Sequence, residues 1–163
     1  MTSFEQPVAA LARALRASRL KLVTAESCTG GLIAAACTAL AGSSEWFERG
    51  FVTYSNAAKS DSLGVDAALI AAQGAVSEAV ACAMAEGALA HSNADLAVAV
   101  TGIAGPGGGS VDKPVGTVWL ATARRGAIAR AELLQLGGDR AAIREQTVLH
   151  ALRELLARVE RGA

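Results

Sequence analysis

Thr24-Ala25-Glu26-Ser27-Cys28-Thr29-Gly30-Gly31 follows a short apolar run, Leu22-Val23, and precedes a small-residue helical pattern over 32–40. The order reads as strand, turn and helix start. Ser27, Cys28 and Thr29 bring hydroxyl and thiol groups to the turn, and Gly30 and Gly31 allow close approach to its backbone. A turn of this kind can carry a nucleophile, or it can bind an anion on free helix N–H groups. Ser and Thr before a helix most often act as N-caps, so the turn alone does not choose between these roles.

Working outward, the pattern alternates. Apolar residues at helical spacing predict a first helix over 4–18. A strand follows at 21–25, then the helix at 32–40, and a turn starting a short helix at 43–47. Gly50 to Tyr54 has strand composition. Helices are expected at 57–63, 66–73 and from Ser77-Glu78 to about 92. Residues 95–101 form a nearly continuous apolar run, as in a strand covered on both faces. Runs at 115–124 and 127–136, separated by Arg125-Gly126, predict a β-hairpin. A closing helix is expected from Asp139 to about Val159. This is an α/β chain, expected to form a three-layer α/β/α sandwich with a mixed, mostly parallel sheet of about five strands. No repeat or linker breaks it, so 1–163 is expected to be one domain.

Composition narrows the function. The 163 residues are 52% hydrophobic, 18% charged and only 4% aromatic, with zero formal net charge. There is no basic run and little material for base stacking, which argues against nucleic acid as a partner. Cys28, Cys37 and Cys82 show no paired spacing, and His91 and His150 stand far apart, so free thiols and no metal site are expected. The N-terminus does not read as a signal peptide, and no run of apolar residues is long enough for a membrane span.

Three further stretches carry chemistry. In Tyr54-Ser55-Asn56-Ala57-Ala58-Lys59, the lysine is one of three against twelve arginines, and Tyr54 is the only tyrosine. A desolvated lysine can lose its proton where arginine cannot, so Lys59 is a candidate general base, although most lysines are simply solvated. Thr101-Gly102-Ile103-Ala104-Gly105-Pro106-Gly107-Gly108-Gly109-Ser110 follows the most buried strand. Loops past the C-terminal ends of strands are where open α/β sheets bind ligands, and its backbone N–H groups can receive an anion. Arg140 and Arg144 lie one turn apart, either as a phosphate clamp or as a solvated face paired with Asp139 or Glu145.

With these segments in view the chain resembles the C-terminal domain of CinA proteins, and closely the stand-alone bacterial nicotinamide-nucleotide amidases of the PncC type. The matching stretches are TAESCTGG at 24–31, AGSSEWFERGFVTYSNAAK at 41–59, GAVSE at 74–78, TGIAGPGGGSVDKPVGTVW at 101–119 and GGDR at 137–140. Thr101 stands where serine is frequent in the family. The resemblance implies hydrolysis of the carboxamide of nicotinamide mononucleotide, without metal or cofactor, by a cytoplasmic homo-oligomer. It makes Ser27 the nucleophile, with Lys59 as base and then acid, and Tyr54 relaying or orienting the proton. Cys28 is the rival nucleophile, but a lysine base suits a hydroxyl, which needs more help than a thiol. The N–H groups of Cys28, Thr29, Gly30 and Gly31 would form the oxyanion hole. Asn56, Thr101, Gly102, Ile103, Ala104, Gly105, Gly107 and Gly108 would hold the substrate, with Arg140 on its phosphate. The alternative is a module that binds pyridine nucleotides without turnover.

Overall fold

The computed structural model describes residues 3–162; residues 1, 2 and 163 of the expected 1–163 domain lie outside it. The elements run α1 (Glu5–Ser18), β1 (Leu22–Glu26), α2 (Leu32–Thr38), a 3-10 turn (Ser43–Glu45), β2 (Phe47–Val52), α3 (Asn56–Leu63), α4 (Ala67–Gln73), α5 (Glu78–Ala90), β3 (Leu96–Gly102), β4 (Thr117–Arg124), β5 (Arg130–Gln135) and α6 (Arg140–Arg161). The five strands form one sheet in the order β2-β1-β3-β4-β5. β1 pairs in parallel with β2 and β3, while β4 is antiparallel to both β3 and β5. Only β4 therefore runs against the other strands.

Alternation along β3 sorts the two faces. Leu96, Val98 and Val100 join Leu11 and Leu15 of α1, Ile33 and Cys37 of α2, and Ile143, Val148 and Leu152 of α6. Ala97 and Ala99 face the other way, against Val80, Met84 and Ala88 of α5, with Leu63 of α3 and Ile70 of α4. The result is the expected three layers. Alanines on the second face let the alanine-rich α5 lie close to the sheet. No helix among the described residues is long and apolar enough to cross a membrane.

Two expectations shift. β2 starts at Phe47 and ends at Val52, so Tyr54 lies beyond the strand rather than in it. The segment at 43–47 closes only a single 3-10 turn before the sheet takes over.

Topology places the site. From β1 the chain crosses through α2 to β2 on one side, then returns through α3, α4 and α5 to β3 on the other. The crevice between the C-terminal ends of β1 and β3 is thus a switch point, where open sheets bind ligands. Packing of α3 on α5 sets the depth of Lys59. A Cβ on Gly87 of α5 would collide with the main-chain carbonyl of Leu63 at the end of α3. Gly87→Ala is expected to lower stability by about 1–3 kcal/mol through overpacking, more than the ~1 kcal/mol that alanine returns in helix propensity. Thermal denaturation checks this, and an unchanged or higher Tm would refute it.

Candidate active site

The sheet delivers Ser27 to the crevice. Its N–H still bonds the Val100 carbonyl oxygen (3.0 Å), one residue past the end of β1. The chain then turns tightly, with the Gly30 N–H on the Ser27 carbonyl (3.0 Å) and positive φ at Gly30 (59°) and Gly31 (102°). Gly31 occupies the N-cap of α2 and makes no side-chain capping bond. Neither Ser27 nor Thr29 caps this helix. The fully buried Glu26 carboxylate does so instead, accepting from the N–H groups of Ile33 (2.8 Å) and Ala34 (3.0 Å) and from the Thr29 hydroxyl (2.6 Å). The Ser27 hydroxyl is left for other work.

Lys59 supplies it. Ser55 starts α3 by accepting the Ala58 N–H (3.0 Å), which turns Lys59 inward. The lysine is 1% exposed. Its Nζ donates to Ser27 Oγ (3.1 Å) and to the Thr53 carbonyl oxygen (3.0 Å), and among the described residues no carboxylate pairs with it. Burial therefore pulls its pKa below the ordinary lysine value, opposed only by the nearby Cys28. In the neutral amine, one N–H can stay on Thr53 while the lone pair faces the serine hydroxyl.

Cys28 lies beside this pair, but burial pushes its thiol up to about 11, and the Glu26 charge adds to the effect. It is a thiol rather than a thiolate at neutral pH, hence a poor nucleophile. Its main chain matters more. Among the described residues the N–H groups of Cys28 and Thr29 reach no carbonyl, hydroxyl or carboxylate acceptor.

Ser27, Cys28 and Lys59 line a cavity of about 290 Å³ together with Tyr54, Asn56, Thr101, Gly102, Ile103, Ala104, Gly105, Gly107, Gly108 and Arg140. The glycine loop is anchored at its root, Ile103 N–H to the Thr117 carbonyl (2.9 Å) and Gly116 N–H to the Ile103 carbonyl (2.8 Å). Among the described residues the N–H groups of Ala104, Gly105, Gly107 and Gly108 have no protein acceptor. Sequence reasoning missed Ala75 and Val76, which complete the wall. The buried Thr101 hydroxyl donates to the Ala75 carbonyl (2.9 Å) and holds that segment in place. Nothing in two apolar side chains signalled a binding role.

Several residues stand elsewhere than expected. Thr29, Gly30 and Gly31 do not line the cavity. The Thr29 side chain turns to Glu26, Gly30 lies against Arg144, and Gly31 against Val52. Tyr54 is 61% exposed, and its hydroxyl accepts from Arg140 Nη2 (3.1 Å) rather than meeting Ser27 or Lys59. Arg140 also donates to the Gly105 carbonyl (2.8 Å), so it bridges the mouth of the cavity. Arg144 does not join it in a clamp, because its Nη2 donates to the Thr29 carbonyl (3.0 Å). Asp139 caps α6 at Ala142 and Glu145 accepts from Ser3, so neither neutralises Arg140.

Comparison with known proteins places the sequence and the fold in one family. The family model described as the CinA C-terminal domain matches residues 5–159. The chain is 54% identical over 145 residues to a protein of Escherichia coli strain K12 named nicotinamide-nucleotide amidohydrolase PncC, covering 88% of this chain and 87% of that one. It is 56% identical over 142 residues to a protein of the same name from Pseudomonas putida, covering 87% and 88%. The crystal structure of the competence/damage inducible protein CihA from Agrobacterium tumefaciens superposes with a TM-score of 0.93 at 49% identity, covering 96% of both chains.

Proposed function

The chain belongs to the CinA C-terminal domain family, and we propose that it hydrolyses the carboxamide of nicotinamide mononucleotide to nicotinate mononucleotide and ammonia. The observation that carries this reading is a buried lysine, unpaired by any carboxylate among the described residues, whose Nζ lies 3.1 Å from a serine Oγ in the cavity wall.

Ser27 Oγ attacks the carboxamide carbon while its proton passes to the neutral Lys59 amine. The carbonyl electron pair moves onto oxygen, where the N–H of Cys28, in the cavity wall, receives the charge. The tetrahedral intermediate collapses as the C–N bond breaks, and the Lys59 ammonium gives its proton to the departing nitrogen. Ammonia leaves, and a Ser27 ester remains. Water then attacks this ester as Lys59 takes its proton. The C–Oγ bond breaks, Ser27 regains a proton, and nicotinate mononucleotide is released. The loop from Gly102 to Gly108 cradles the ribose and phosphate on its open N–H groups, with Arg140 at the phosphate. Tyr54 orients Arg140. On this reading residues 1–163 act as one amidase domain, in a cytoplasmic homo-oligomer that needs no cofactor and touches neither nucleic acid nor membrane.

Incubation with nicotinamide mononucleotide and measurement of released ammonia tests the proposal; nucleotide bound without ammonia release would overturn it. Arg140→Ala is expected to raise KM for the nucleotide by about 10–100-fold, the worth of a hydrogen bond to a charged group, while barely affecting the riboside. Equal losses on both substrates would remove Arg140 from the phosphate.

A further inference from the structure

Glu26 touches neither Ser27 Oγ nor Lys59 Nζ, yet both depend on it. Its side chain holds the turn through the Thr29 hydroxyl and the first N–H groups of α2. Its main-chain carbonyl accepts the Thr53 N–H (2.9 Å), and the Thr53 carbonyl in turn accepts from Lys59 Nζ (3.0 Å). The far side of the same turn is held by Arg144 on the Thr29 carbonyl (3.0 Å).

A buried carboxylate is an expensive way to cap a seven-residue helix, since desolvating a charge costs far more than desolvating a hydroxyl. Ser27 or Thr29 would suit the task better. A serine cap, however, would commit the Ser27 hydroxyl to α2 and draw it away from Lys59. The carboxylate takes the helix end instead, leaving the Ser27 hydroxyl on Lys59.

We infer that Glu26 is a positioning residue for the reaction: its carboxylate, acting through Thr29, holds the Ser27 turn in the geometry that presents the nucleophile and the Cys28 N–H together. The inference rests on the amidase reading for its reaction. Its test also includes a readout that needs no nucleotide.

Glu26→Gln preserves size but puts an amide N–H₂ where only acceptors fit, so at least one of the three bonds is lost. The expected result is a kcat for ammonia release about 100-fold lower, as for a displacement of roughly an ångström in a reacting group, with KM within about threefold. The rate at which a fluorophosphonate labels Ser27 falls by a similar factor. Thr29→Ser keeps the hydroxyl and should retain near-normal rates, whereas Thr29→Val removes it and should lose about tenfold or more, as for one hydrogen bond to a charged group. Turnover and labelling of Glu26→Gln within about threefold of wild type would overturn the inference, since that displacement would be absent. A loss in Thr29→Ser as large as or larger than that in Thr29→Val would do the same, because serine keeps the hydroxyl and lacks only the methyl group. If Glu26→Gln fails to fold, the Thr29 pair decides. Absence of ammonia release from the wild type would sink the amidase reading alone, with fluorophosphonate labelling still reporting on the turn.

Discussion

Replacing Ser27 by alanine is expected to lower kcat for ammonia release by about 10⁴–10⁶-fold while the nucleotide still binds, because removal of a nucleophile leaves only oxyanion stabilisation and binding. The size of the effect follows from the absence of a substitute in the cavity wall. Cys28 stands next in sequence, but burial pushes its thiol up to about 11, so it stays protonated at pH 7. Mass spectrometry of an acyl-enzyme trapped at low temperature gives the second readout. The adduct belongs on Ser27, and an adduct on Cys28 would reverse the assignment of the nucleophile.

Lys59→Met carries the other large effect. Loss of the general base is expected to lower kcat by about 10²–10⁴-fold. The wild-type rate should rise with pH through the Lys59 pKa, which burial holds below the ordinary lysine value, and the variant should lack that limb. Stability moves the same way. The unfolded chain binds the Lys59 proton at higher pH than the folded one does, so between the two pKa values the unfolded state holds more protons. Stability linked to this group is fully present above the unfolded value and is lost as pH falls through the folded one. Wild type should therefore gain Tm relative to Lys59→Met between pH 7 and pH 10, as followed by thermal denaturation. At pH 7 the variant should match or exceed wild type, despite leaving the Thr53 carbonyl without a donor. A lysine paired with an unseen acid would show no relative gain, and would contradict the base assignment.

These two residues also show why a sequence reading gets partway. Ser27 is legible because a nucleophile-bearing turn sits between a strand and a helix. Lys59 is legible because lysine is scarce in a chain that otherwise uses arginine. Glu26 was the miss, and a signal existed. A charged residue closes an otherwise uncharged strand run, Leu22-Val23-Thr24-Ala25, and stands seven residues before Ile33. Acids so placed must find buried donors, and the start of α2 is where they lie. Tyr54 was drawn toward the dyad by its place in sequence. It meets Arg140 instead, because β2 ends at Val52 and leaves Tyr54 at the rim.

The sequence by itself determined the layers, the hairpin and the chemistry on offer. Periodicity and turn residues act over a few neighbours, so helices, strands and a nucleophile turn can be read locally. Tertiary structure decided which groups meet. The register of β1 between β2 and β3 brings Ser27 to Lys59, 32 residues away, and the packing of α6 brings Arg140 to Tyr54 and Gly105. It also turned Thr29, Gly30 and Gly31 off the cavity wall, because the start of α2 found its acceptor in Glu26. The pKa of Lys59 was settled in the same way. Desolvation is a property of what packs around an amine, and in this chain β1, the end of β2 and α3 close around it only once the sheet has formed.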